Sequence, residues 1–169
     1  VRDCVNEVLR TNVPGDLIET GVWKGGATIL MRAMLKVYGD TDRKVYVCDS
    51  FEGLPPPDPK YPADAGDQHF TMEQLAISVE EVQRNFLKYD LLDKQVEFVK
   101  GWFKDTLHRI EAPQFAVVRL DGDMYESTIQ GFEALYPRLS SGGYLIVDDY
   151  EAVAGCRQAV HEYRSANNI

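Results

Sequence analysis

The sequence has no apolar run of the roughly 18 residues that a membrane-spanning helix needs, and no stretch resembles a signal peptide. It has no excess of positive charge either. Its formal net charge is −9, whereas surfaces that bind nucleic acids or anionic membranes are basic. Cysteine is scarce, and the wide spacing of its three residues matches no metal finger. We therefore expect a cytoplasmic protein with reduced thiols, and neither a nucleic acid nor a membrane as its partner.

The chain does contain a regular alternation of strand-like and helix-like segments. Its 169 residues suit a single domain over residues 1–169. The predicted strands are 16–20, 44–48, 95–99, 115–120 and 144–147. The predicted helices are 2–11, 27–38, 72–89, 105–110, 125–138 and 153–166. Strands separated by helices predict an α/β fold with a Rossmann-like, doubly wound and mostly parallel sheet.

The helix predicted over 72–89 has an apolar stripe. Its members are Leu75, Val79, Val82, Phe86 and Tyr89, which are spaced for one buried face.

Acidic residues follow four of the five predicted strands. Glu19 ends the first strand, Asp49 follows the second, Asp121 follows the fourth, and Asp148 and Asp149 follow the fifth. Ligands of open α/β sheets bind beyond the carboxyl ends of the strands. We therefore expect the functional site at this edge of the sheet.

The segment ETGVWKGG, residues 19–26, joins the first strand to its helix. Glycines at 21, 25 and 26 allow a tight turn, but their spacing is not the dinucleotide fingerprint. Asp49 can accept hydrogen bonds from both hydroxyls of a ribose. A ligand with a ribose and no pyrophosphate fits better than NAD, and S-adenosylmethionine is such a ligand, with Glu19 near its cationic amino acid part. The alternative is a plain tight turn beside a solvated acid.

The two acids of LDGD, residues 120–123, receive different predictions. Asp123 lies three residues before Glu126 at a helix start, which is the capping-box pattern and predicts a structural role. Asp121 has no comparable structural role. If it converges with Asp148 and Asp149, a divalent cation such as Mg²⁺, Ca²⁺ or Mn²⁺ would neutralise the three carboxylates. The alternative is that Asp148 and Asp149 merely begin a loop.

A long proline-rich connection, residues 50–71, follows the second strand and predicts a lid over the substrate. Within it, His69 is either a second base or substrate contact or a solvated loop histidine. Trp102, after the third strand, packs either beside an adenine or in the core. The sequence indicates no role for Arg119.

Four motifs together, ETGVWKGG, CDSFEGLPPPD, LDGDMYEST and IVDDY, resemble the macrocin O-methyltransferase (TylF) family over residues 13–165. The resemblance implies an S-adenosylmethionine- and Mg²⁺-dependent O-methyltransferase that acts on a hydroxyl of a sugar or small polyhydroxylated natural product. It implies metal ligands at Asp121, Asp148 and Asp149, with Asp121 also the general base. Such enzymes normally have a sixth and seventh strand and longer N-terminal helices, so we expect a sheet without its terminal strands.

The resemblance and the motifs together give a full set of expected site residues. The expected cofactor-binding residues are Glu19, Thr20, Gly21, Gly25, Gly26, Asp49, Ser50, Gly101 and Trp102, and the expected substrate contacts are His69 and Tyr125. A glycoside or polyol is the expected substrate, and a homodimer the expected assembly. Two alternatives are a non-catalytic S-adenosylmethionine-binding or assembly module and a nucleotide-dependent oxidoreductase. The oxidoreductase lacks support because the sequence has no pyrophosphate fingerprint and no Tyr-x-x-x-Lys pair.

Overall fold

A computed structural model describes all of residues 1–169 and contains one five-stranded parallel sheet. Its strands are β1 Asp16–Thr20, β2 Val45–Asp49, β3 Val96–Lys100, β4 Phe115–Leu120 and β5 Leu139–Val147. Their order across the sheet is β3-β2-β1-β4-β5. This arrangement confirms the predicted doubly wound α/β fold and places β4 between β1 and β5.

Helices cover both faces of the sheet. They are α1 Arg2–Arg10, α2 Gly26–Tyr38, α3 Val79–Lys88, α4 Phe103–Thr106, α5 Tyr125–Leu135 and α6 Ala154–Asn167. None of them combines the length and the apolar composition that crossing a bilayer requires.

Successive strand residues feed two separate cores, because side chains alternate between the faces of a sheet. Leu17 packs with Val8 of α1, Met31 of α2 and Phe86 of α3 on one face. The next residue, Ile18, belongs to the core on the other face. That second core also contains Leu107, Phe132, Leu135, Val160 and Tyr163. The cores hold the sheet rigid beneath the edge where the strands end.

The helix predicted over 72–89 begins later than expected. Helix α3 starts at Val79 because Ser78 is its N-cap and accepts a hydrogen bond from the N–H of Glu81 at 3.3 Å. Before it lies a short 3-10 turn, Glu73–Leu75. The apolar stripe is only partly buried: Val82 and Phe86 are fully buried, while Tyr89 is 65% exposed. Eight residues of the prediction, 72–78 and Tyr89, therefore lie outside α3, and the predicted burial of Tyr89 was wrong as well.

Smaller boundary differences occur elsewhere. Strand β5 begins five residues before the predicted start, at Leu139. The helix predicted over 105–110 is α4 followed by a 3-10 turn, Leu107–Arg109, and the helix predicted over 125–138 is α5 followed by another, Tyr136–Arg138. The connection over residues 50–71 also contains 3-10 turns, at Pro62–Asp64 and His69–Thr71.

The carboxyl ends of β1, β4 and β5 meet in close register. The N–H of Asp121 donates to the carbonyl of Thr20 at 2.9 Å, and that of Asp148 donates to the carbonyl of Leu120 at 3.0 Å. Gly21 has a left-handed φ of 80°, and a Cβ there would lie 1.8 Å from the carbonyl oxygen of Asp121. Only glycine permits this approach, which brings the turn after β1 against the acid after β4.

Candidate active site

A cavity of about 470 Å³ opens at the carboxyl edge of the sheet. Its walls come from the ends of β1 to β4, from the connection after β2 and from the start of α5. The expected cofactor-binding residues that line it are Gly21, Asp49, Ser50, Gly101 and Trp102. Asp121 and Asp123 also line it. The volume falls within the range of about 300 to 1,000 Å³ that small-molecule sites usually have.

Four expected cofactor-binding residues do not line this cavity. Thr20 is fully buried within β1. Gly25 is the left-handed N-cap of α2 and packs against Val82, and Gly26 begins the helix. The fourth is Glu19, which is 1% exposed and pairs with Arg119.

Asp49 is a partly buried carboxylate at the end of β2. Its Oδ2 accepts a hydrogen bond from the N–H of Val22 at 2.7 Å, and its Oδ1 accepts one from the N–H of Phe51 at 2.8 Å. Burial raises the pKa of Asp49, and these backbone donors oppose the rise. Each carboxylate oxygen has a second lone pair. Asp49 can therefore organise both adjoining turns and still accept from a ligand in the cavity.

Asp121, Asp148 and Asp149 meet at the ends of β4 and β5. One carboxylate oxygen from each lies within 4.8 Å of the others. Burial raises the pKa of Asp121 to about 7, and the negative charges of Asp148 and Asp149 act in the same direction. Burial is also the main cause of the raised pKa of Asp149. The structure thus brings together the three acids predicted as metal ligands, and their like charges repel one another.

Arg119 is the basic residue that pairs with this cluster, and its guanidinium connects the cluster to Glu19. Its guanidinium forms ion pairs with Glu19, with Asp121 at 2.5 Å and with Asp148 at 2.7 Å. Burial raises the pKa of Glu19 to about 8, against the attraction of Arg119. The second oxygen of Glu19 has no hydrogen-bond partner. Arg119 was not predicted as a site residue. A single arginine inside an otherwise apolar strand was the available signal.

Asp123 does not cap α5, so the capping-box prediction was wrong. The N-cap is Met124, and Asp123 lies before it in the left-handed region, with φ 57°. Its backbone N–H donates to Oδ2 of Asp149 at 3.1 Å, while its carboxylate has no hydrogen-bond or ion-pair partner. Burial raises the pKa of Asp123 to about 6, and the charge of Asp149 adds to the rise. This carboxylate faces the cavity instead of the helix.

Asp64, from the connection after β2, caps α5 instead. Its Oδ1 accepts from the N–H of Tyr125 at 2.7 Å, and its Oδ2 accepts from the N–H of Glu126 at 2.9 Å. A carboxylate suits this position because the first N–H groups of a helix lack partners and carry partial positive charge. A cap from 61 residues earlier in the chain replaces the local one that the sequence suggested.

The two expected substrate contacts lie outside the cavity lining. His69 is held through Nδ1 by Oδ2 of Asp67 at 2.7 Å. That hydrogen bond raises the pKa of His69, and the charges of Asp123 and Asp149 reinforce it. The hydroxyl of Tyr125 donates to Glu162 of α6 at 2.6 Å, which raises the pKa of Tyr125 to about 12. Tyr125 is thus occupied by a contact between helices.

Trp23, in the turn after β1, reaches the segment that precedes α3. Its Nε1 donates to the carbonyl of Gln74 at 2.9 Å, and its side chain is part of the cavity lining. The backbone of Trp23 is left-handed, with φ 45°, and the residue is half exposed. This contact joins the glycine turn to the short segment between the long connection and α3. No sequence motif indicated it.

Three curated relatives match nearly the whole chain. The demethyldecarbamoylnovobiocin O-methyltransferase of Streptomyces niveus is 51% identical over 100% of this chain and 65% of its own length. The 8-demethyl-8-(2,3-dimethoxy-alpha-L-rhamnosyl)-tetracenomycin-C 4'-O-methyltransferase of Streptomyces olivaceus is 52% identical over 98% of this chain and 64% of its own. The mycinamicin III 3''-O-methyltransferase of Micromonospora griseorubida is 48% identical over 100% and 68%. The chain therefore spans slightly less than two thirds of the first two relatives.

Solved structures agree with the fold. The O-methyltransferase NovP has a TM-score of 0.97 and 51% identity, over 99% of this chain and 70% of that one. A calicheamicin methyltransferase has a TM-score of 0.75 at 22% identity, over 95% and 68%, and this likeness concerns the fold alone. A family model described as Macrocin-O-methyltransferase (TylF) matches residues 1–169. The chain therefore belongs to the macrocin O-methyltransferase (TylF) family, as its motifs had indicated.

Proposed function

We propose that the protein is an S-adenosylmethionine- and divalent-cation-dependent O-methyltransferase that acts on a sugar hydroxyl of a natural product. The observation that carries the proposal is that two sets of carboxylates lie at the same carboxyl edge of the sheet, where the cavity opens. Asp49 stands at the end of β2, and the cluster of Asp121, Asp148 and Asp149 stands at the ends of β4 and β5. Family membership and the names of the relatives support the reaction type.

The cofactor would occupy the cavity between the turn after β1 and the turn after β3. Asp49 is the proposed acceptor for the ribose hydroxyls, with Gly21, Ser50 and Gly101 as the wall that lets the ligand approach the backbone. Trp102 offers an aromatic surface for the adenine. Glu19, Thr20, Gly25 and Gly26 support this wall from behind. Oε2 of Glu19 is a buried polar atom there that lacks a hydrogen bond, as is Nε of the adjoining Arg119.

The residues present fit a hard divalent cation. Asp121, Asp148 and Asp149 supply only oxygen donors, which suits Mg²⁺, Mn²⁺ or Ca²⁺ better than zinc. Burial with like-charged neighbours raises the pKa of Asp121, and a positive charge would relieve that cost. A bound cation would acidify and orient the acceptor hydroxyl. We propose these three acids as its ligands.

We assign the proton acceptor to the Leu-Asp-Gly-Asp segment, and the contacts favour its second acid over the first. The resemblance assigns this role to Asp121. That carboxylate is engaged by Arg119 and would also hold the cation. Asp123 lines the cavity, and its carboxylate has no such partner. A general base must reach the proton and have a pKa near the working pH, and Asp123 meets the second condition more readily than an ordinary aspartate.

A sheltered site would favour this reaction, because a nucleophilic oxygen and a sulfonium lose opposite charges as they react. Gly53, Leu54, Pro55 and Pro56 of the connection form one wall of the cavity. Asp64 ties this connection to α5, and Trp23 of the turn after β1 holds the segment that follows the connection. We therefore propose the connection as the lid over the substrate. Positioning two reactants in such a site can be worth effective molarities of about 10⁵ to 10⁸ M.

The substrate would be a glycoside with a free hydroxyl beside a second one. The name of one relative includes a substituted rhamnosyl group, and those of the others include demethyldecarbamoylnovobiocin and mycinamicin III. The net charge of −9 disfavours an anionic acceptor. The free cysteines at 4, 48 and 156 suit our expectation of a cytoplasmic location. Self-association stays a prediction, which sedimentation at several concentrations would check.

The proposal is tested by transfer of a labelled methyl group from S-adenosylmethionine to p-nitrophenyl α-L-rhamnoside, with and without EDTA. We expect product only with Mg²⁺ or Mn²⁺, and calorimetry should show that cofactor binding survives EDTA. The matched acceptors are the corresponding deoxy rhamnosides, each of which lacks one of the hydroxyl groups. Full activity in EDTA would overturn the cation requirement. Cofactor binding without methyl transfer to any glycoside would favour the non-catalytic module. An NAD-dependent redox activity would favour the oxidoreductase.

A further inference from the structure

Arg119 occupies an unusual place for a basic residue, because it lies among the acids proposed to bind a cation. It stands in β4 directly opposite Glu19 of β1 in the sheet register. Its Nη1 contacts Glu19 and Oδ2 of Asp121, and its Nη2 contacts Oδ1 of Asp148. The side chain is only 12% exposed. A buried guanidinium with three carboxylate partners is a fixed part of this site.

Two of the three proposed metal ligands thus already have a positive partner. Asp121 and Asp148 pair with Arg119, whereas Asp149 accepts the backbone N–H of Asp123. A divalent cation at the cluster would approach the same carboxylates and would be repelled by the guanidinium. The planar fork of arginine can hold two carboxylates at once, which a metal ion would also do. Arg119 and the cation therefore compete for the same negative charge.

Glu19 gives Arg119 a partner that the cation does not need. It lies beneath the cluster in β1 and is 1% exposed. If Asp121 and Asp148 turn to a cation, the guanidinium keeps its contact with Glu19, whose second oxygen is still free. With all groups ionised, Glu19 and the three aspartates carry four negative charges against the single charge of Arg119. A divalent cation would bring this group close to neutrality.

We propose that Arg119 is an internal counter-cation that holds the three-aspartate cluster together without metal and lowers its affinity for the divalent cation. Glu19 restrains the guanidinium and so limits the competition. Arg119 is a positioning residue in this account, since it acts through Asp121 and Asp148. The inference rests on the proposed cation site.

The experiment is a Mn²⁺ titration of the chain without cofactor or substrate, followed by electron paramagnetic resonance of the free ion. Arg119→Met should bind Mn²⁺ on the order of tenfold more tightly or better, because a nearby repulsive charge is gone. Glu19→Gln should bind it more weakly, because the guanidinium then pairs more fully with the aspartates. The double variant Glu19→Gln, Arg119→Met should bind more tightly than Glu19→Gln alone. It also removes the buried carboxylate of Glu19, which Arg119→Met alone would leave without its partner.

Arg109→Met is the matched control, because it removes the same charge from an exposed position and should leave Mn²⁺ affinity unchanged. If the unchanged chain binds no Mn²⁺, both the cation site and the role of Arg119 are overturned. Only the role of Arg119 is overturned if the chain binds Mn²⁺, Arg119→Met binds it no more tightly than the original chain, and the double variant binds it no more tightly than Glu19→Gln. If Arg119→Met does not fold, the comparison of the double variant with Glu19→Gln shows whether Arg119 lowers the affinity for Mn²⁺.

Discussion

Asp64 holds the first turn of α5 through Tyr125, whose backbone N–H lies 2.7 Å from Oδ1 of the carboxylate. The carboxylate is 3% exposed, and a Cβ at Gly155 of α6 would lie 3.0 Å from the same oxygen. The long connection after β2 is therefore fastened between two helices at its middle.

Asp64→Ala should lower the free energy of unfolding by about 1 to 2 kcal/mol, as expected for the loss of a helix cap. Asp64→Asn should cost less, because its one remaining oxygen still accepts one of the two N–H groups. Urea denaturation measures both. Asp58→Ala is the control, since Asp58 is an exposed acid of the same connection. Equal stability of Asp64→Ala and Asp58→Ala would show that the cap contributes nothing.

Replacing Asp49 should affect both the cofactor and the fold, because its oxygens accept from Val22 and Phe51. We expect Asp49→Asn to weaken binding of S-adenosylhomocysteine by roughly 1.5 to 3 kcal/mol, the usual cost of a lost charged hydrogen bond. Calorimetry on folded protein measures this, and Asp105→Ala is the charge-matched control on the exposed face of α4.

The same titration with a 2′,3′-dideoxy analogue separates the two roles of Asp49. The original chain should bind the analogue much more weakly than the parent compound, and Asp49→Asn should discriminate little between them. If both proteins discriminate equally, Asp49 shapes the turns without contacting the ribose.

The Asp67 and His69 pair predicts a pH dependence that nuclear magnetic resonance can follow. The hydrogen bond to Asp67 raises the pKa of His69, so Asp67→Asn should lower it. A raised pKa in the folded state adds stability that is complete below the unfolded pKa of about 6.5 and is lost as the pH rises through the folded value. The stability deficit of Asp67→Asn should therefore be larger at low than at high pH. The other two histidines provide internal references, and an unchanged titration of His69 would contradict the pairing.

Much of the site could be predicted from the sequence because the geometry of parallel sheets is regular. Asp121 and Asp148 each follow a strand, so their side chains had to lie near each other once β4 and β5 were adjacent. The structure confirms that adjacency. Asp49 and Gly21 could be placed at the cavity by the same rule. Such residues are predictable because their positions follow from where each strand ends.

Contacts that depend on register or on distant segments could not be predicted. Arg119 pairs with the site because it lies opposite Glu19 in the register of β1 and β4. A shift of that register by one residue would place its side chain on the other face of the sheet. The helix cap from Asp64 comes from a connection whose path no local pattern specifies. That distant cap also explains the error over Asp123, because a capping box describes only the residues beside a helix start.

The roles of Asp121 and Asp123 can be separated by replacing each with asparagine and measuring Mn²⁺ binding and methyl transfer independently. Asparagine suits position 123 because it tolerates the left-handed backbone there and keeps the N–H that donates to Asp149. If Asp123 accepts the proton, Asp123→Asn should bind Mn²⁺ and cofactor nearly as the original chain does but transfer methyl about 10² to 10⁴ times more slowly. Asp121→Asn should instead weaken Mn²⁺ binding, with part of its lost activity restored by excess metal. Normal activity in Asp123→Asn, together with an Asp121→Asn protein that no amount of Mn²⁺ restores, would return the role of base to Asp121.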